Sequence, residues 1–253
     1  MIDLHAHILP GLDDGPATLD EALAILRSAA RDGVEVIAAT PHVRDDYPTT
    51  ADAMERGLAE VRRAADEAGI PIRVVGGGEI AVARLGELSE DELRRFGLGG
   101  SRYVLVEPPY AGWPLDLAHR LFELQVRDLT PVIAHPERNP DVQDDPELLR
   151  PHVERGALVQ VTAASIDGRL GRRTAAVARE LVRSGLAHLL ASDAHGFETR
   201  AVGLRRAATA VGDDRLSRWL VRDVPAAMLE GRELPRRPSP SRGRFAGLRR
   251  RSS

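Results

Sequence analysis

Five of the eight histidines stand in patterns that suit metal chemistry: His5 and His7 two apart, His42 after Ala-Thr-Pro, His135 in Ile-Ala-His-Pro-Glu-Arg, and His195 two after Asp193 in Ala-Ser-Asp-Ala-His. Carboxylates join them at Asp14 in Leu-Asp-Asp-Gly-Pro, Glu79 in Gly-Gly-Glu-Ile, Glu107 and Asp193. Imidazole and carboxylate donors without sulfur favour borderline or hard divalent ions, Mn²⁺ first, with Fe²⁺ and Zn²⁺ also compatible. Nine donors are too many for one ion and suit a cluster of three divalent metal ions. The charge of three such ions outweighs four carboxylates even after one hydroxide is added, so the cavity would attract a phosphate dianion. Arg138 lies three residues after His135 and Arg200 five after His195, and a guanidinium binds phosphate oxygens in a bidentate way.

These residues need a scaffold that gathers distant positions. Strand-like runs occur at Ile2–Ala6, Val34–Ala39, Ile72–Gly76, Tyr103–Val106, Pro131–Ala134, Leu158–Val161 and His188–Ala191. Helical periodicity fills the spaces between them, at Leu19–Arg31, Ala51–Ala68, Leu115–Arg127, Pro146–Arg155, Thr174–Ser184 and Leu204–Val211. Thr18 with Glu21 forms a capping box, and Gly33, Gly69, Gly156 and Gly185 stand where helices end. Alternating strands and helices predict parallel strands joined by crossover helices. A TIM-like (β/α)7 barrel fits better than a doubly wound sheet, because candidate ligands follow six of the seven strands, and strand C-termini of a barrel open onto one face. Residues two apart on an extended strand point the same way, which suits His5 with His7 and Asp193 with His195.

The remaining histidines serve as a control. His119 and His152 fall within helices and His188 begins a strand, so all three are expected to be structural. Asp13, Glu35 and Glu137 are expected to be solvated or to support the ligands. Trp113 and Trp219 are expected to pack, while Tyr110 and Trp113 lie in a loop that could border the site.

The absence of cysteine excludes disulfides, thiolate ligands and a cysteine nucleophile, and with them the thiol phosphatases. A chain of 253 residues with 43% apolar content suits one barrel domain, expected over residues 1–231. Neither a membrane span nor a signal peptide is evident, so a cytoplasmic location is expected. All 35 basic residues are Arg. The segment Arg232–Ser253 carries +7, whereas the preceding residues carry −10, a poor footprint for nucleic acid. Rich in Pro, Ser and Arg, this tail is expected to be disordered, and its charge makes it a candidate for peripheral contact with anionic membranes.

Taken together, the motifs resemble the PHP (polymerase and histidinol phosphatase) superfamily over Met1 to about Gly231. More narrowly, Met-Ile-Asp-Leu-His-Ala-His, Leu-Asp-Asp-Gly-Pro, Ala-Thr-Pro-His, Gly-Gly-Glu-Ile, Pro-Val-Ile-Ala-His-Pro-Glu-Arg and Ala-Ser-Asp-Ala-His look like the bacterial metal-dependent tyrosine phosphatases of capsule and exopolysaccharide loci. The resemblance implies an α/β fold, a distorted seven-stranded barrel of the PHP type. Its first metal site would be His5, His7, Glu79 and Asp193; Glu79 would bridge to a second site with Glu107 and His135; Asp14, His42 and His195 would hold the third. Carboxylates at Asp14 and Glu107, where histidinol-phosphate phosphatases tend to have His, favour the tyrosine-phosphatase branch. The implied activity is hydrolysis of phosphotyrosine by a metal-activated hydroxide, and the implied partner is a membrane-associated bacterial tyrosine kinase. The stretch Gly196-Phe197-Glu198-Thr199-Arg200 departs from the family pattern, which has Asn and a Pro following Arg. A small-molecule phosphomonoesterase, a phosphodiesterase and a non-catalytic metal-binding module are the alternatives.

Overall fold

The computed structural model describes residues 1–196 and 200–239. Its strands are β1 (Ile2–Ala6), β2 (Val36–Ala39), β3 (His42–Arg44), β4 (Tyr47–Pro48), β5 (Arg73–Gly76), β6 (Glu79–Ala81), β7 (Tyr103–Glu107), β8 (Thr130–Ala134), β9 (Leu158–Thr162) and β10 (Leu189–Ala191). Hydrogen bonding runs β1-β2-β5 in one sheet and β10-β9-β8-β7-β6-β3-β4 in the other, parallel throughout except for the β3–β4 hairpin. The two sheets form one ring. Asp193 N–H donates to His5 O and His7 N–H to Ala194 O, both at 2.8 Å, joining the chain beyond β10 to β1. Counted around the ring there are seven strands, because β2 with β3 and β5 with β6 are single barrel strands bent in the middle and β4 is only the outer arm of the β3 hairpin.

Both bends have local causes. Between β2 and β3 stand Thr40 and Pro41; Pro41 has no N–H for the ladder, but its carbonyl accepts from Glu79 N–H at 3.0 Å. Between β5 and β6 lie Gly77 and Gly78. A Cβ on Gly78 would meet the Phe96 ring at 2.5 Å, so only glycine lets this strand turn against the fully buried Phe96. The sequence pattern missed both resumptions, since a three-residue strand after a break carries almost no periodicity.

Helices lie where amphipathic segments were expected, with small shifts at their ends. Leu19–Asp32 begins at the Thr18/Glu21 capping box and ends on Gly33 at φ 89°. The expected Pro146–Arg155 helix is two turns, a 3₁₀ turn at Pro146–Leu149 and a helix at Arg150–Glu154, and Leu115–Arg127 is helical only over Leu117–Val126. A short helix at Glu90–Arg95, unanticipated, starts at its own capping box, Ser89 with Glu92. The strands are buried on both faces against these helices, and Leu4, Ile37, Ile80, Val104, Ile133 and Val159 form the centre of the core.

The packed body extends past the expected boundary at residue 231. Trp219 Nε1–H donates to Pro235 O at 2.8 Å, Arg237 donates to Val182 O at 2.6 Å, and Leu234 packs against the core. Two aromatic or guanidinium donors thus tie down a segment whose composition alone read as disordered; residues 240–253 of that tail lie outside those described.

His188 sits beside the Trp219 ring at the start of β10, and its Nδ1 accepts from Val159 N–H at 3.2 Å. Burial, reinforced by Arg237 and opposed by a bond at Leu186, pushes its pKa down from 6.5 to about 4. The folded state therefore holds the ring neutral where the unfolded chain would protonate. Its contribution to stability is complete above about pH 6.5 and is lost as pH falls toward 4. The melting temperature of the wild type is expected to drop more steeply over that window than that of His188→Gln; parallel slopes in thermal melts would show that this ring does not govern the acid response.

Candidate metal centre

The C-terminal end of the barrel brings all nine expected donors together. They form four overlapping groups, in each of which one atom per residue lies within 4.8 Å of the others: His5 with His7 and Asp193; His5 with Glu79 and His135; His42 with Glu79 and Glu107; and His7 with Asp14, His42 and His195. Glu79, fully buried, is the hub. Its Oε1 lies 2.6 Å from His135 Nε2, and its Oε2 lies 2.9 Å from His42 Nδ1, 3.2 Å from His7 Nε2 and 3.3 Å from His5 Nε2. Asp193 Oδ1 faces the same pair of histidines at 3.4 and 3.5 Å.

The partition differs in detail from the one implied by resemblance. His135 and Glu107 lie on opposite sides of Glu79 and share no group, whereas His7 also reaches the Asp14, His42 and His195 group. Nor are Asp193 and His195 on an extended strand. β10 ends at Ala191, Asp193 has φ 52°, and a turn rather than strand alternation points both side chains inward.

Ring orientation is fixed from behind. His7 Nδ1–H donates to Asp13 at 2.6 Å, His5 Nδ1–H to Gln160 Oε1 at 3.0 Å and His195 Nδ1–H to the Asp193 carbonyl at 3.0 Å. Each bond turns Nε2 toward the cavity, the arrangement in which an outer partner orients a histidine that binds metal. Asp13 also accepts from the His42 and Gly15 N–H groups. Gln160 was missed by the sequence reading, although it is the polar residue in the middle of the apolar run Leu-Val-Gln-Val and comes from β9, the one strand that supplied no candidate. Its Oε1 also accepts from His135 N–H at 3.2 Å.

Electrostatics reflect this crowding. Burial opposes protonation of His5, but Glu79 and Asp193 outweigh it and raise its pKa; for His7, burial is overcome by Asp13, Asp193 and Glu79, and the pKa rises far. Glu79 and Asp193, though buried, are held well below the ordinary carboxylate range, Glu79 by His5 and His135 and Asp193 by His5, His7 and Arg200. Burial and the nearby Glu79 charge push Glu107 up to about 8. Several buried atoms have no hydrogen-bond partner, among them Glu107 Oε1, Glu79 Oε2, His42 Nε2 and His195 Nε2. Lone pairs aimed at a common space without donors fit divalent cations.

Arg138 and Arg200 stand at the rim, bonded to the ligand carboxylates. Arg138 Nη1–H donates to Asp193 Oδ2 at 2.6 Å; Arg200 donates to Asp193 at 3.1 Å and to Asp14 at 3.2 Å. Arg44, two residues after His42 on β3 and overlooked in the sequence, lies 3.5 Å from Glu107 Oε2. Residues 197–199 of the departing loop lie outside those described. The control histidines stay out of the cluster: His119 is on an exposed helix face, and His152 packs near Trp113. Glu35 is exposed, pairing with Arg222 and the N-terminus. Glu137 is not solvated; fully buried, it accepts from Ser165 and from Thr162 N–H and anchors the end of β9.

The family model for capsular polysaccharide synthesis, CpsB/CapC, matches residues 1–228. The chain belongs to the CpsB/CapC family. It is 36% identical to the tyrosine-protein phosphatase YwqE of Bacillus subtilis (strain 168) over 203 residues, 79% of each chain. It is 28% identical to the tyrosine-protein phosphatase CpsB of Streptococcus pneumoniae over 215 residues, 82% of this chain and 88% of that one. The fold superposes with a TM-score of 0.87 and 32% identity on a crystal structure from work on YwqE of B. subtilis and CpsB of S. pneumoniae, described as unique metal-dependent tyrosine phosphatases, covering 94% of this chain and 98% of that one. Membership in CpsB/CapC accounts for the whole barrel, while residues beyond 228, including Pro235 and Arg237, fall outside the matched region.

Gln160 supports His5 and His135 without facing the cavity as a donor itself. Gln160→Leu is expected to lower Mn²⁺ affinity by roughly 10–100-fold, the usual cost of losing an outer partner of a ligating histidine. Calorimetric titration with Mn²⁺ measures this, and unchanged affinity with an unchanged circular dichroism spectrum would remove Gln160 from the site.

Proposed function

We propose that this chain is a cytoplasmic metal-dependent protein-tyrosine phosphatase that acts on a membrane-associated bacterial tyrosine kinase in capsule or exopolysaccharide synthesis. One observation carries the reading: in a CpsB/CapC chain, nine nitrogen and oxygen donors and two guanidinium groups converge on one end of the barrel. The nine side chains would hold three divalent ions in the overlapping sets described above, with Glu79 belonging to more than one set. Mn²⁺ best suits this set, with Fe²⁺ and Zn²⁺ as alternatives.

The ions, when bound, supply a water acidic enough to attack near neutral pH and positive charge for the phosphoryl oxygens. The chain does the positioning. Gln160 and Asp13, bonded to Nδ1 of His5 and His7, aim the Nε2 atoms of both rings inward. Arg138 and Arg200, whose guanidinium groups face Asp193 and Asp14, turn part of their donor set to the phosphoryl oxygens and stabilise charge as it shifts in the transition state. Transfer of the phosphoryl group to water would break the phosphorus–oxygen ester bond, and the tyrosine oxygen would leave with the bond pair. Because a phenol has a pKa of about 10, that oxygen leaves without a strong general acid.

A substrate panel tests the assignment. Phosphotyrosine peptides are expected to turn over faster than sugar phosphates or histidinol phosphate; equal or slower turnover overturns it. Glu79→Ala is expected to lose activity by orders of magnitude together with metal, whereas His119→Ala stays near wild type. Arg138→Ala and Arg200→Ala are expected to keep metal content but to lose kcat/KM and sensitivity to inorganic phosphate. Metal loss as severe as in His135→Ala, measured by elemental analysis, would make the arginines structural.

The basic tail brings the enzyme to anionic lipids beside the kinase. Residues 240–253 carry five Arg and no acidic residue, each contributing about 1 kcal/mol near such a surface before screening and ordering costs. Deleting them is expected to leave turnover of a soluble phosphopeptide intact and to weaken salt-sensitive binding to phosphatidylserine vesicles. Equal binding at low salt would eliminate the membrane role.

A further inference from the structure

A cavity of about 400 Å³ opens beside the cluster, and one of its walls is the candidate ligand Glu107. Its apolar lining comes from Ala81 at the end of β6, Val82 and Ala83 after it, and Pro108, Pro109 and Pro114 after β7. Arg44 and Tyr110 close the end nearest the ligands. Tyr110 is held between the two charged flanks of the site. The Arg138 guanidinium lies 5.6 Å from the centre of its ring, and Arg44 faces its hydroxyl while lying 5.2 Å from the Tyr47 ring. Half of Tyr110 remains exposed, and its side chain lines this opening.

We propose that this cavity is the seat of the tyrosyl ring of a protein phosphotyrosine, and that Tyr110 is the residue that selects aromatic over alkyl phosphate esters; this rests on the reading given under Proposed function. A phosphoryl group gripped on one side by Arg138 and Arg200 at Asp193 has its ester oxygen free on the other, toward Glu107. A flat apolar group leaving in that direction enters a space walled by proline rings and one aromatic face, where it exchanges water for carbon contacts. An alkyl ester of serine or threonine is too short to reach the same wall with its peptide backbone outside. The cavity volume exceeds that of one phenol ring, leaving room for part of the residue next to the phosphotyrosine. Arg120, bonded to Asp116 at the far rim, offers that neighbour a polar edge.

Tyr110→Ala removes the aromatic face and Ala83→Trp fills the cavity from an exposed position; neither residue is among the metal-binding or phosphate-binding groups. With Mn²⁺-loaded full-length enzyme, both are expected to raise KM for a phosphotyrosine peptide and for phenyl phosphate about fivefold to tenfold, the scale of a lost aromatic contact. The inhibition constant of inorganic phosphate, which has no ring, is expected to stay within about twofold, and Tyr110→Phe is expected to keep wild-type KM. Unchanged KM in both variants, in an enzyme that does hydrolyse the peptide, overturns the ring seat. A parallel rise in the phosphate inhibition constant also overturns it, since Tyr110 would then merely hold Arg138 in place. A wild-type enzyme unable to hydrolyse the peptide sinks the phosphatase reading and this inference with it. Loss confined to the peptide, with phenyl phosphate unaffected, would place the neighbouring residue rather than the ring in the cavity and so refute the proposal as stated.

Discussion

A carboxylate in a protein interior is tolerable only when its charge is matched, since stripping it of water costs several kcal/mol. Glu79 is such a group, without solvent exposure, its two oxygens approached by four imidazole rings. The rest of the centre follows from that constraint. His5 and His7 at the end of β1, His42 on β3 and His135 after β8 surround this one side chain, so these strands must end at the same level on the same face. A closed parallel barrel does this because its strands are tilted alike and their C-termini form a ring.

Holding the ring shape requires local departures from ideal strand geometry. Two strands bend, at Thr40-Pro41 and at Gly77-Gly78, just before His42 and Glu79. Two donors, His135 at φ 31° and Asp193 at φ 52°, have positive φ, which is uncommon outside glycine even though Asn, Asp and His take it more often than other residues. Such strain persists only where the surroundings overdetermine it. Here the Gln160 side chain grips the His135 N–H, and the His5 carbonyl accepts from the Asp193 N–H.

The barrel and the convergence of the nine candidate donors were legible because both leave repeated marks: apolar runs at regular intervals, and a titratable residue after nearly every one. The supporting partners were less so. Asp13 was expected either to be solvated or to support the site, and nothing in its neighbours distinguishes it from an exposed loop aspartate. Gln160 belongs to a strand without a ligand, and its role exists only once β9 lies beside β8. Arg44 sits on a three-residue strand that no periodicity announces. Glu137 shows the converse, a charged residue in a polar stretch that tertiary packing buries completely against Ser165 and Thr162. Composition read the segment from Arg232 as loose chain, yet Pro235 and Arg237 are bound by partners far away in sequence.

The seam between the first and last strands gives the molecule an order of assembly. Asp3 accepts from Ser192 N–H across 189 residues, beside the His5 and Asp193 contact. During synthesis from the N-terminus, neighbouring strands from β1 to β9 can pair in turn, each closing a modest loop. The seam must wait for β10, because it joins residues almost the whole chain apart. His5 and His7 stand on one side of that seam and Asp193 and His195 on the other. A nascent or truncated chain that ends before β10 therefore possesses most of the barrel and none of the completed centre, and catalytic competence appears only with the final event of folding.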